Sequence, residues 1–111
     1  MLRITVHATV HFADNAGNHT FRGNEISLSG GKRFSDEFHV FSMVWEEDRV
    51  RFFMDDRLYH TVSNNGQQPY PFNEPFFLIF NVAVGGRWPG SPDASTKFPQ
   101  QMIVDYIRVF Q

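Results

Sequence analysis

The chain has 111 residues and a formal net charge of −2 at pH 7, so it has no basic field for a phosphate backbone, and nucleic acid is a poor partner. It contains no cysteine, which excludes disulfides and Cys-based metal sites or nucleophiles. No apolar stretch approaches the roughly 18 residues of a membrane span, and Met1-Leu2-Arg3 leads into alternating sequence rather than a signal peptide.

The composition favours strands over helices. Thirteen Phe, two Trp and three Tyr accompany many β-branched residues, and aromatic and β-branched side chains are enriched in β-sheets. We therefore expect an all-β chain with one domain over residues 1–111. Because β-sandwich enzymes commonly need about 200–250 residues, this length is short for such an enzyme.

The first predicted strand runs from Ile4 to Phe12 and alternates strictly. Its even positions are apolar and its odd positions polar, which is typical of a strand with one packed face. The polar face carries two histidines, His7 and His11. That face would suit either a sugar-binding groove or an ordinary surface. A second, short strand is predicted from Phe21 to Leu28, after a loop.

The two histidines are too far apart to share a metal ion. Four residues separate them along the strand, and a rise of about 3.3 Å per residue places them roughly 13 Å apart. A metal site formed by His7 and His11 is therefore rejected.

Five further strands are predicted in the rest of the chain. Phe38 to Trp45 has apolar residues on both faces, as in a central strand between stacked sheets. A hairpin follows, with Asp55-Asp56 at a turn where glycine would be easier. The remaining elements are a buried strand and a terminal strand, separated by a Gly/Pro-rich loop: Phe76 to Val84 and Met102 to Phe110.

The acidic residues do not form a hydrolytic pair. Cleavage of a glycosidic bond needs two carboxyl groups that flank it, about 5–5.5 Å apart in a retaining enzyme. The acidic clusters here are contiguous, and neighbouring residues of an extended chain point to opposite faces. We therefore predict no catalytic residue and interpret the clusters as turn residues: Asp36-Glu37, Glu46-Glu47-Asp48 and Asp55-Asp56.

Three residues outside the first strand are candidates for binding. Asn81 interrupts an apolar strand, so its amide is either hydrogen-bonded in the core or directed into a cleft. Trp88 lies in a Gly/Pro-rich loop, as a packed anchor or as a stacking platform for a pyranose ring. Asp105 shares an apolar face and needs a salt bridge, a hydrogen bond or a metal ion.

Several segments occur in an order that is characteristic of one family. They are Phe38-His39-Val40-Phe41 before Trp45, Phe53-Met54-Asp55, the segment from Phe76 to Gly86, and Arg87-Trp88-Pro89-Gly90. From Val6 to Gln111 the chain resembles laminarinase-like family 16 glycoside hydrolases, the β-glucanase jelly rolls. The resemblance implies a concanavalin-like β-sandwich, and it implies that His11, Asn81 and Trp88 face a β-glucan cleft. It also implies secretion, no required cofactor, and a structural Ca²⁺ bound through Asp105.

The resemblance covers the family's carboxy-terminal half only. The family's catalytic strand carries a Glu-x-Asp-x(-x)-Glu motif, which is absent from these 111 residues. We expect a truncated glucanase domain that keeps part of a glucan-binding cleft and is inactive alone. The alternatives are a glucan-binding or structural module that self-assembles, as a homodimer or strand-swapped oligomer, and a half that a separate amino-terminal half complements into an active enzyme.

Overall fold

A computed structural model describes residues 5–111; Ile4 and the three residues before it lie outside the described residues. The first sheet is a hairpin of β1, Thr5–Ala13, and β2, His19–Ser27. These strands pair along their whole length, from Thr5 opposite Ser27 to Ala13 opposite His19. Both predicted strands are confirmed, and the second starts two residues earlier than the sequence pattern indicated.

The hairpin loop is closed by one aspartate. Asp14 accepts hydrogen bonds at Oδ1 from the backbone N–H groups of Ala16 and Asn18, both at 2.9 Å. Its own N–H donates to the carbonyl of Asn18 at 2.8 Å. Gly17 takes a φ of 80°, which suits a residue without a Cβ atom. The loop therefore fixes the register of the strands that it joins.

The second sheet has three antiparallel strands in the order β3-β4-β5. Their bounds are Phe41–Glu46, Arg49–Met54 and Arg57–Ser63. The predicted hairpin is β4 and β5. The predicted central strand, however, is β3 at an edge of this sheet, and all six of its residues are exposed. Its apolar residues on both faces indicated a covered strand, but they stay about half exposed, with aromatic contacts from Phe41 to Phe34 and from Trp45 to Phe76.

The turn between β4 and β5 has two consecutive residues in the left-handed region. The φ angles of Asp55 and Asp56 are 46° and 66°, as a type I′ turn requires at its two central positions. The sequence lacks the glycine that is usual there. Aspartate tolerates this conformation better than most residues because its short side chain can bond locally.

Two sheet faces meet in a small apolar core within residues 5–76. Val10 and Phe12 of β1 and Val62 of β5 form a buried cluster, and Val62 is completely buried. Phe72 lies within a 3₁₀ turn, Pro71–Asn73, and packs edge-on against Phe12, with ring centroids 5.8 Å apart. The sheets are also joined by Asn24, whose Nδ2 donates to the carbonyl of Tyr59 at 2.6 Å.

Residues 77–111 form a second compact unit, described here by itself. It contains no strand among its described residues, so the predicted strands Phe76 to Val84 and Met102 to Phe110 are wrong as hydrogen-bonded elements. A strand requires a partner backbone. Without one, the apolar side chains of both segments remain largely exposed: Phe76, Phe77, Leu78, Ile79, Phe80, Val82, Val84, Met102, Ile103, Val104, Tyr106, Ile107, Val109 and Phe110.

Loops and 3₁₀ turns complete a chain that is all-β, as predicted. Over residues 5–111, none of the helical segments has the length and apolar character that crossing a bilayer demands.

Candidate functional site

The exposed face of the β1–β2 hairpin carries a row of polar pairs. Thr5 and Ser27 share a hydrogen bond of 2.9 Å between their hydroxyl oxygens. His7 Nδ1 lies 3.5 Å from a carboxylate oxygen of Glu25. The opposite face of β1 is buried through Ala8, Val10 and Phe12. The predicted division of β1 into one packed and one polar face is therefore confirmed.

His11 lies on this exposed face and pairs with His19. Nδ1 of His11 and Nε2 of His19 are 2.9 Å apart, so one ring nitrogen donates to the other. The two rings lie edge to edge and nearly coplanar, with centroids 5.2 Å apart and an interplanar angle of 16°. Phe21, which is 62% exposed, lies beside both imidazoles, 6.1 Å from the His11 ring and 6.4 Å from the His19 ring. We call His11, His19 and Phe21 the imidazole face.

The imidazole face combines ring nitrogens with an exposed aromatic ring. Imidazoles can donate and accept hydrogen bonds, and a phenyl ring offers an apolar surface. Sugar rings present hydroxyl groups at their edges and C–H groups on their faces, so this combination suits them. His19 was not selected from the sequence, because the predicted second strand began only at Phe21. The cross-strand register was the missing information.

Trp88 lies in the second unit, in a tight loop built on glycines. Gly85 and Gly86 have φ angles of 73° and 139°, which strongly favour glycine. The N–H of Gly90 donates to the carbonyl of Gly86 at 3.0 Å and closes the loop across Trp88. The Trp88 side chain is 72% exposed. Both predicted roles of Trp88, as an anchor packed on the loop and as a stacking platform, stay predictions.

Asn81 and Asp105 are also in the second unit and are both exposed. The strands on which these two residues were predicted do not form in this unit. The role of Asn81 in a cleft or as a core amide, and that of Asp105 in a salt bridge, a hydrogen bond or a calcium site, stay predictions. Water can solvate either side chain, so neither needs an internal partner.

Asp105 is a weak calcium ligand on its own. Ca²⁺ takes six to eight oxygen ligands, and no group of three or more His, Cys, Asp or Glu side chains within residues 5–111 could hold a metal ion. Asp105 brings one carboxylate. The other oxygens of such a site would have to come from backbone carbonyls, water or another chain.

The acidic clusters in residues 5–76 bind their immediate neighbours. Asp36 pairs with Arg33 at 2.8 Å. Glu46 pairs with Arg49 at 2.9 Å and with Arg51 at 2.7 Å. Hydrogen bonds from the backbone N–H and then the side chain of Arg33 hold the pKa of Asp36 below its usual range. Hydrogen bonds from Arg49 and Arg51 do the same for the pKa of Glu46. Both groups are solvated carboxylates of turns and strand ends, as predicted.

Asp48 and Asp55 organise the turns at the ends of β4. Asp48 Oδ1 accepts from the side-chain amides of Asn64 at 2.9 Å and Asn73 at 3.0 Å, which lower its pKa. Asp55 accepts from His39 Nδ1 at 2.6 Å and from the Val40 N–H at 2.8 Å. These two bonds, the His39 bond above all, lower the pKa of Asp55. A general acid needs a raised pKa, so neither residue is suited to that role.

The chain belongs to the glycosyl hydrolases family 16, which its sequence matches over residues 3–108. It is 37% identical to glucan endo-1,3-beta-glucosidase A1 of Niallia circulans and 38% identical to a beta-glucanase of Rhodothermus marinus, over 96% of the chain in each case. It is also 34% identical, over 68% of the chain, to a beta-1,3-glucan-binding protein of Penaeus monodon.

The aligned region is a minor part of each of these relatives. The chain spans 17% of the Niallia circulans protein, 39% of the Rhodothermus marinus protein and 25% of the Penaeus monodon protein. No solved structure matches the chain. The two antiparallel sheets are consistent with a jelly-roll fragment of the family.

Proposed function

We propose that this chain is a truncated glucanase-like domain that binds β-glucan and does not hydrolyse it alone. The observation that carries the proposal is the exposed Trp88 at the tip of a glycine-closed loop. A large exposed indole can stack on a pyranose ring and exclude water from its apolar face. The names of relatives from Niallia circulans and Penaeus monodon point to β-1,3-glucan as the polymer.

The proposed lack of hydrolysis follows from the carboxylates. Retaining glycoside hydrolases use two carboxyl groups, one as the nucleophile and one as the acid/base. The motif Glu-x-Asp-x(-x)-Glu does not occur in the 111 residues, and Asp36, Glu46, Asp48 and Asp55 all serve as acceptors for neighbouring groups. Binding without the two reacting groups lowers no barrier for the chemical step.

His11 and Asn81 are proposed as further contacts to the polymer. His11 is on the imidazole face and Asn81 precedes the Trp88 loop, and both are exposed. The proposal extends to an extracellular location and to calcium bound through Asp105, since the family resemblance implies both. Neither is needed for glucan binding through Trp88.

Replacement of Trp88 is expected to weaken glucan binding. Trp88→Ala removes the stacking surface, and we expect the affinity for laminarin to fall about tenfold, which corresponds to about 1.4 kcal/mol. Isothermal titration calorimetry measures the change. Phe98→Ala is the matched control, because Phe98 is an aromatic residue of the same unit, lies outside the two apolar segments and is 60% exposed. Equal affinities for the two variants would contradict a specific role of Trp88.

A second proposal is self-association, which the exposed apolar segments of residues 77–111 favour. Monomeric soluble proteins seldom expose contiguous apolar patches above a few hundred Å². Strand-like segments without partners also invite pairing with another chain. We propose that a second copy covers these segments in a homodimer or strand-swapped oligomer with self-complementary contacts.

Light scattering coupled to size exclusion is expected to give about twice the mass of one chain at micromolar concentration. A stable twofold interface between two copies is expected to bury roughly 1,000 Å² or more of accessible surface. Val109→Lys would introduce a charge into one exposed segment and should shift the equilibrium towards the monomer, whereas Lys97→Arg is a control that keeps the charge. A stable monomer at all concentrations would refute self-association and leave a separate polypeptide as the partner of these segments.

A further inference from the structure

We propose that the outer edge of β3 is a dimerisation surface, where β3 of a second copy pairs with it antiparallel and forms one continuous sheet. β3 runs from Phe41 to Glu46 and has β4 as its neighbour on one side, and no described strand lies on the other. Such an edge presents unpaired N–H and C=O groups to a further strand. β3 belongs to residues 5–76, so the proposal does not rest on the association proposed for residues 77–111.

The backbone groups at this edge belong to alternate residues. The carbonyl of Val40 accepts from the N–H of Asp55 at 2.8 Å, in register with the pairing of β3 and β4. The backbone groups of Val40 therefore point towards β4. Because successive residues of a strand direct these groups to opposite sides, those of Phe41, Met43 and Trp45 point away from β4.

One register pairs all three of these residues about a twofold axis. It sets Met43 opposite Met43 of the second copy, and on each side of the axis it sets Phe41 opposite Trp45. Each pair exchanges two N–H···O=C bonds, roughly six bonds in total. Sliding one strand by two residues leaves one outward-facing residue of each copy without a partner in the other strand. The contact is self-complementary, as a twofold dimer requires, and its opposed aromatic side chains stabilise it.

β3 lacks the features that usually protect an edge strand from pairing. It contains no Lys and no Pro, and the irregularity of this sheet lies between β4 and β5. Its one ionised side chain, Glu46, is at its last position and pairs with Arg49 at 2.9 Å and Arg51 at 2.7 Å. The proposed register places the two copies of Glu46 about 20 Å apart along the strands, so their charges do not oppose the contact.

The opposite edge of this sheet is already in contact with the first sheet. The carbonyls of Tyr59 and Ser63 in β5 accept hydrogen bonds from the side chains of Asn24 at 2.6 Å and Arg22 at 3.1 Å. Both donors belong to β2. A strand that pairs with β5 would have to displace them, whereas at the outer edge of β3 no described strand has to move.

Disulfide cross-linking of Met43→Cys tests the contact, because the chain contains no other cysteine. The Cα atoms of a hydrogen-bonded antiparallel pair lie about 5.5 Å apart, within the roughly 4.4–6.8 Å that a disulfide spans. Leu58→Cys is the matched control, because Leu58 is 51% exposed against 48% for Met43 and lies on β5, roughly 24 Å from its copy across the new sheet. Under mild oxidation at micromolar concentration, Met43→Cys should cross-link at least about tenfold faster than Leu58→Cys. Equal rates would overturn the proposal.

Two further measurements separate this contact from association through residues 77–111. Addition of Val109→Lys to Met43→Cys should leave the cross-linking rate within about twofold, because position 109 is not part of the β3 contact. Loss of cross-linking in the double variant, with its circular dichroism spectrum unchanged, would overturn the proposal. In the unmodified protein, hydrogen exchange at the N–H groups of Phe41, Met43 and Trp45 should slow as the protein concentration rises. Exchange that does not depend on concentration would overturn it as well.

Discussion

Phe12→Ala is expected to lower the free energy of unfolding of residues 5–76, which contain both sheets, by about 3–5 kcal/mol. Phe12 is only 7% exposed and belongs to the cluster with Val10 and Val62. Its ring also packs edge-on against Phe72. The substitution leaves a cavity and removes the contact between β1 and the segment after β5. Urea denaturation monitored by circular dichroism measures the loss.

Phe21→Ala is the control for this prediction. It is the same substitution on the same hairpin, but Phe21 is 62% exposed and faces away from the core. We expect it to change the stability by less than about 1 kcal/mol, as is usual for exposed positions. Similar losses for the two variants would mean that the cluster around Phe12 does not hold the sheets together.

Asp55→Ala is expected to cost about 2–3 kcal/mol. The variant loses the acceptors for His39 Nδ1 and for the Val40 N–H, and the His39 side chain is 5% exposed, so its ring is left without a partner. Alanine also disfavours the φ of 46° that position 55 adopts. Thermal and urea unfolding would measure the loss.

Two measurements separate the hydrogen bonds from the backbone conformation. Asp55→Gly loses the same two acceptors but tolerates the φ of 46° at position 55, so it should lose about 1 kcal/mol less stability than Asp55→Ala. The pKa of Asp55 is lowered from 3.8, so its stabilising contribution is present above that pH and is lost as the pH falls through the lower, folded-state pKa. Asp55→Ala should therefore lose less stability than wild type between pH 5 and pH 2. An unchanged acid dependence would contradict the role of Asp55.

The sequence predicts those elements whose side chains divide cleanly into a packed and a solvated face. β1 alternates strictly, and Ala8, Val10 and Phe12 are buried as the alternation indicates. The β4–β5 hairpin follows from two such runs and a short polar turn. The type of that turn could not be predicted from the sequence, because aspartate is less common than glycine at positive φ.

Segments that are apolar on both faces were less predictable. The stretch from Phe76 to Val84 has the composition of a buried strand, but a composition supplies no partner backbone. Its residues form no backbone hydrogen-bond ladder with another described strand, and their side chains stay exposed. β3 has the same character and lies at a sheet edge. In both segments the apolar composition predicts burial, but the side chains are exposed among the described residues.

The candidate site was predictable in part. His11 and Trp88 were selected from the family resemblance, and both are exposed where a ligand can reach them. His19 and the bond between His39 and Asp55 were missed, because each depends on which residues become neighbours across strands or turns. Such pairings are set by register, which a single sequence specifies weakly.

The most direct test of the account is a titration of the wild-type protein with laminarin by calorimetry, with reducing ends assayed in the same samples. The account predicts saturable binding and no release of reducing ends above the protein-free control. Hydrolysis in proportion to the protein, and unaffected by alanine at Asp36, Glu37 and Glu46, would contradict it. An absence of binding heat would contradict the proposed glucan contact through Trp88.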